Sequence, residues 1–166
     1  MNAVFRNRAL ALCAALISCA VQEGLSADFN ASSQKLEGTW AVTVTRVNPP
    51  PSLPPTFPSL MSFLSNGVVL ETSGTGRTNR GPAFGEWVRT GDRQFTTTFY
   101  LFRFGSGEVF AGVTKIIRNM EVGENLETFR AVSVQEQYDV DGKLTATLQA
   151  TEEGRRLKMG EIGDKP

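Results

Sequence analysis

Leu36-Glu37-Gly38-Thr39-Trp40-Ala41-Val42-Thr43-Val44-Thr45 is the stretch on which the fold class turns. Trp40, Val42 and Val44 alternate with Ala41, Thr43 and Thr45, and a period of two with β-branched residues on the second face is the mark of a half-buried strand. The pattern predicts a strand over Leu36–Val47. Working outward, Leu60–Leu64 and Val68–Ser73 flank Ser65-Asn66-Gly67, and Asn-Gly between apolar runs predicts a tight hairpin because the turn needs positive φ. Phe84–Arg89 meets Gln94–Phe104 across Thr90-Gly91-Asp92-Arg93. Glu108–Val122 follows Gly105-Ser106-Gly107, Glu127–Val140 follows Gly123-Glu124-Asn125, and Leu144–Thr151 follows Asp141-Gly142. This is an all-β chain of about eight strands without a convincing helix, joined mostly by short turns, and closing such a meander into an antiparallel up-and-down barrel removes its exposed edges.

Two longer connections interrupt the meander. Asn48 to Pro58 holds six of the eight prolines, which lack ladder donors, so this stretch is not expected within a central strand. It reads either as a lid over one barrel end, with Leu53 and Phe57 as plugs, or as a stiff connector packed on the wall. Gly74 to Pro82 is glycine-rich and carries Arg77 and Arg80.

Before the first strand, Arg6 and Arg8 precede an apolar run from Ala9 to Ile17 that is too short to span a bilayer, as in an export signal. Leu16-Ile17-Ser18-Cys19 resembles the bacterial lipobox, which implies cleavage after residue 18 and a lipid on Cys19; ordinary cleavage after Ala27 is the competing reading. The expected organisation is a signal over 1–18 (or 1–27), a flexible tether over 19–35, a barrel domain over 36–157 and a disordered tail over 158–166. The protein is expected in the periplasm or outside the cell, soluble or held at a membrane only through the Cys19 lipid.

Composition narrows the chemistry. The 166 residues suit one domain, and 17 basic residues balance 17 acidic ones. Loss of residues 1–18 leaves 15 basic against 17 acidic, a net charge of −2, with no basic block suited to nucleic acid. There is no histidine, and Cys13 and Cys19 both lie in the export region. Ser-His and Cys-His nucleophiles and the usual zinc, copper and haem ligand sets are therefore excluded from the barrel domain, and no cofactor or metal is expected. Glu136, Asp139 and Asp141 gather near a turn, and Glu152 and Glu153 near the C-terminus, where exposed acids are the expectation.

Arg77, Arg80, Arg89 and Arg93 form the only basic concentration, opposed by Glu86 and Asp92. Around a barrel mouth they would hold a carboxylate through paired donors; otherwise they are a solvated rim. Phe84, Trp87, Phe95, Phe99, Tyr100, Phe102, Phe104 and Phe110 would line or fill the interior. Strict alternation sets Phe95, Phe99 and Leu101 on one face and Tyr100, Phe102 and Phe104 on the other, so one group must face outward, where it would favour contacts with another copy or a membrane.

Gly38-Thr39-Trp40 at the head of the first strand resembles the Gly-x-Trp signature of lipocalins and, secondly, that of avidins. The resemblance implies a calycin barrel in which Gly38 and Trp40 close the bottom, with Arg155 or Arg156 packed across the indole. Leu36 to Leu157 also resembles exported bacterial proteins with a Gly-Thr-Trp start, a Thr-Phe-Pro-Ser-Leu segment (Thr56 to Leu60) and a strand like Gly85-Glu86-Trp87. The lipocalin resemblance implies a non-enzymatic envelope protein that carries a small apolar or amphipathic ligand in its cup. The ligand-binding candidates are Arg77, Arg80, Phe84, Trp87, Phe99 and Tyr100. The alternatives are a filled barrel acting as an interaction module, homo-oligomer included, and an isomerase or cyclase. For the last, Gly107-Glu108-Val109-Phe110-Ala111-Gly112 is similar to the glycine-flanked strand of allene oxide cyclase-like barrels, with Glu108 or Glu136 facing the cavity.

Overall fold

The computed structural model describes residues 35–75 and 79–158. The expected export segment, the tether with Cys19, Arg77 and residues 159–166 lie outside that range. Eight strands follow in order: β1 (Gly38–Arg46), β2 (Thr56–Phe63), β3 (Val68–Ser73), β4 (Arg80–Arg89), β5 (Gln94–Phe104), β6 (Phe110–Val122), β7 (Thr128–Tyr138) and β8 (Leu144–Arg156). Each pairs antiparallel with the next, and β8 returns to pair with β1, from Trp40 opposite Arg156 to Arg46 opposite Ala150. The barrel is therefore closed, and no ladder edge is left open.

The starts of β2 and β4 and the end of β8 lie well away from those expected. Strand β2 begins at Thr56 and includes Pro58, which lies opposite Thr43 of β1. In an antiparallel ladder a residue's N and C=O point to the same neighbour, and Pro58 O accepts the Gly74 N–H at 2.7 Å. The missing proline donor therefore faces the end of β3, where pairing starts only at Ser59 opposite Ser73. Strand β8, expected to end at Thr151, runs on to Arg156. Leu157 N donates to Thr39 O at 2.8 Å and prolongs the seam. Elsewhere, β4 starts at Arg80 with an irregularity between Arg80 and Ala83, and a single 3₁₀ turn, Ser106–Glu108, precedes β6.

Alternation divides the side chains into an inner and an outer set. Trp40, Phe63, Trp87, Phe95, Val122 and Phe129 point inward near one end, which Leu36 crosses, and all are buried. Trp40 meets Phe129 at 5.2 Å between ring centroids, and Trp87 meets Phe95 at 5.8 Å and Phe63 at 6.4 Å. These tilted and edge-on contacts fill that end with aromatic bulk. Gly154, opposite Phe129 on β8, makes room for the plug, since a Cβ there would stand 2.1 Å from the Phe129 ring.

Candidate functional site

The sealed end is built around Trp40. Its indole N–H donates to Leu36 O at 2.9 Å, and the Arg156 guanidinium lies 4.3 Å from the ring centroid. Arg156 also donates to Lys35 O, Glu37 O and Leu126 O, which ties the segment before β1 to the turn after β6. Gly38, with φ +117°, allows this, because a side chain there would press on Arg156 Nη1. Burial lowers the Arg156 pKa, and Glu127 opposes that shift. Arg155 is outward and exposed. Gly38, Trp40 and Arg156 thus sit together at the closure, and Arg155 stands apart from it.

The opposite end is different in kind. The inner residues approaching it are mostly small or polar: Ser59, Ser73, Ala83, Thr114, Ser133, Gln135, Gln137, Ala146 and Ala150. Several inward groups there, including Phe57, Ile116, Gln135, Leu148 and Ala150, are only half-buried, so this end is the mouth. Two ion pairs stand inside the wall. Near the mouth Arg80 pairs with Glu71 and donates to Ser73 Oγ at 2.9 Å, while the Ser59 hydroxyl donates to Glu71. Deeper, Arg118 Nη2 is 2.7 Å from Glu152 Oε2, with both side chains at most 3% exposed. Arg118 further contacts Met61 Sδ and lies 4.9 Å from the Phe99 ring centroid.

Two more arginines mark the rim. Arg103 donates to Tyr138 O at 2.7 Å and Ala111 O at 3.3 Å, bracing β5 against β6 and β7. Arg46 donates to Pro54 O and lies 4.2 Å from the Phe57 ring centroid, and burial pushes its pKa down. Neither forms an ion pair with a carboxylate among the described residues.

The sequence-derived candidates scatter. Phe99 faces inward beside Arg118, and Arg80 reaches the mouth already neutralised by Glu71. Trp87 belongs to the sealed end, where its indole N–H donates to Leu64 O at 3.0 Å. Phe84 (59% exposed) and Tyr100 (49%) stand on the outer wall, opposite one another across β4 and β5. Neither lines the interior, because their parity is that of Phe102, not of Phe99. The expected basic cluster is divided: Arg89 pairs with Asp92, and Arg93 with Glu121 and Glu124, all around turns at the sealed end. Of the lid candidates, Leu53 is exposed, whereas Phe57 lies on β2 and packs against the core.

The carboxylates expected on turns also separate. Glu136 is on the outer wall, taking hydrogen bonds from Tyr138 and Lys115, and Asp139 accepts the backbone N–H groups of Asp141 and Lys143. Glu108 is exposed in the 3₁₀ turn. Neither Glu108 nor Glu136 faces the interior, which removes the geometry expected of a cyclase. Sequence reasoning missed Arg118, Glu152, Glu71, Arg46 and Arg103 as inner residues. The signal was there: Arg118 sits between Ile116 and Met120 on the core parity of β6, and Glu152 holds the same parity on β8.

A depression of about 1440 Å³ is bordered by outward groups such as Ala41, Thr43, Leu60, Thr72, Arg130 and Arg155. It runs on the outer wall and gathers no set of convergent buried polar atoms. A closed eight-stranded antiparallel barrel, aromatic at one end and polar within the other, is the class that fold and interior define. No protein-family model matches the sequence, and no curated protein matches it. A solved structure of EF1p2_mFAP2b bound to DFHBI is similar to 78% of this chain and 99% of its own length, at 18% identity and a TM-score of 0.49. That likeness is too distant to bear on function.

Proposed function

We propose that this protein is an exported carrier that holds a small, largely apolar molecule with a polar group in the mouth half of its barrel. The observation that carries this reading is the division of the interior. Aromatic side chains fill the sealed end, while the mouth half sets small and polar side chains among apolar ones such as Phe57, Ile116 and Leu148, around two ion pairs and with half-buried inner residues at the opening. Barrels of eight strands have an interior that is either filled by side chains or holds one small ligand, and the change in side-chain size along this barrel favours the second. Export is supported by the Arg6 and Arg8 segment and its apolar run. Native mass spectrometry of protein purified gently from its source is expected to show a small-molecule adduct that Ala150→Trp abolishes. A protein that is always empty, and indifferent to Ala150→Trp, would count against the carrier.

A second reading rests on the outer wall. Phe84, Tyr100, Phe102, Val109 and Phe110 are exposed, and Phe102 meets Phe110 edge-on at 5.7 Å. Such a patch suits contact with a second copy or another protein. Sedimentation over a range of concentrations, compared with Phe102→Glu, separates it from the carrier reading.

A further inference from the structure

Below the mouth, the middle of the barrel carries hydrogen-bonding capacity that the protein leaves unused. Thr97 of β5 lies directly opposite Arg118 of β6, and its side chain is completely buried. Among the described residues the Thr97 hydroxyl has no hydrogen-bond partner, nor has Arg118 Nε. A guanidinium offers five N–H donors, and among the described residues Glu152 and Met61 Sδ are its only polar contacts. Thr114, higher on the same face of β6, is also buried with its hydroxyl unpaired. A buried polar atom left without a partner is destabilising, and native proteins satisfy nearly all of them, so several along one inner wall mark where the polar group of a guest would gain partners once the closely packed side chains part to admit it, since no open space adjoins these atoms.

Charge narrows what that guest presents. Arg118 is already neutralised by Glu152, so a carboxylate pushed to this depth would meet a balanced pair and lose its hydration without a matching gain. A hydroxyl or carbonyl can take the Arg118 Nε and Thr97 groups at far smaller desolvation cost. An anionic group would stay at the rim, near Arg46 and Arg103, which no carboxylate contacts among the described residues.

We infer that Arg118, Glu152 and Thr97 form a deep subsite for an uncharged hydroxyl or carbonyl, so that the ligand is an amphiphile polar at its buried end and not a plain hydrocarbon tail. The inference rests on the carrier reading, and its test separates the two. The fluorescent reporter N-phenyl-1-naphthylamine is bound to the protein, using the signal that survives Phe102→Glu on the outer wall. It is then displaced by medium-chain n-alkanoic acids and by their ω-hydroxy counterparts. In an apolar cup the added hydroxyl weakens binding. Here the ω-hydroxy acid is expected to bind about fivefold or more tightly than its parent, the worth of one good hydrogen bond. The preference is expected to vanish in Thr97→Val and in the paired change Arg118→Met with Glu152→Leu; the first is nearly isosteric and guards against a folding defect in the second. A parent acid that binds as well as its ω-hydroxy form, or a preference that persists in both variants, overturns the subsite and leaves the carrier standing. Failure of the reporter and of every competitor to bind overturns both.

Discussion

Arg118 and Glu152 form an ion pair buried inside the barrel, and such pairs are costly to break by halves. Arg118→Met leaves Glu152 buried without its counter-ion and is expected to lower stability by about 3–5 kcal/mol in denaturant unfolding. Changing both to apolar residues is expected to restore stability to the wild-type level or above it, since hydrophobic replacement of a whole buried pair is often neutral or stabilising. Thr97→Val removes an unpaired hydroxyl from the core and is expected to leave stability unchanged or raise it by about 1 kcal/mol. On the outer wall, the Tyr138 hydroxyl donates to Glu136 at 2.8 Å, and this bond first, then Lys115, holds the Glu136 carboxyl below its usual pKa. A depressed carboxyl stabilises the fold above its unfolded-state pKa, and that contribution is lost as pH falls through the lower folded value. Tyr138→Phe is therefore expected to raise the Glu136 midpoint in a carboxyl NMR titration; an unchanged midpoint would leave Lys115 as the cause. The inner position of these charged residues was readable in principle. Arg118 and Glu152 obey the same alternation as Phe99 and Trp40, but charge on an apolar face invites the assumption of a surface position, and a partner on a distant strand is invisible in one sequence.

Strand β8 closes the ring, pairing with β7 along one side and with β1 along the other. Gly154 lies where it crosses the aromatic plug, against Phe129. Gly154→Ala is expected to destabilise the protein by about 1–3 kcal/mol through overpacking. Adding Phe129→Leu, which removes the ring edge that the new methyl would strike, is expected to recover much of that loss; thermal melts of the single and double variants test it. Strand existence and most turns were evident from alternation and from Asn66-Gly67 and Asp141-Gly142. The ends of β2 and β8 were not. Pro58 and the charged run after Thr151 both argue locally against a strand, and both are overruled by ladder partners far away in the chain: β1 for Pro58, β1 and β7 for Glu152 to Arg156.

Closure makes the eight strands one cooperative object with two unlike ends, and this asymmetry is what separates a plug from a cup. The up-and-down barrel followed from strand number and short turns. Its polar interior did not, because the division of each strand between ends depends on register, which no single strand encodes. The outer aromatic patch gives the barrel a second character, and Phe102→Glu is expected to reduce any concentration-dependent self-association in sedimentation velocity without changing the melting temperature, since the side chain is exposed. Finally, Arg156 grips the backbone at Lys35 and Glu37 on the sealed side, and Leu157 leaves the seam beside Thr39. Both ends of the described chain therefore depart from the base of the barrel. Whatever is fused or fastened ahead of Lys35 joins the barrel at its foot, beside the aromatic plug and at the end opposite the opening.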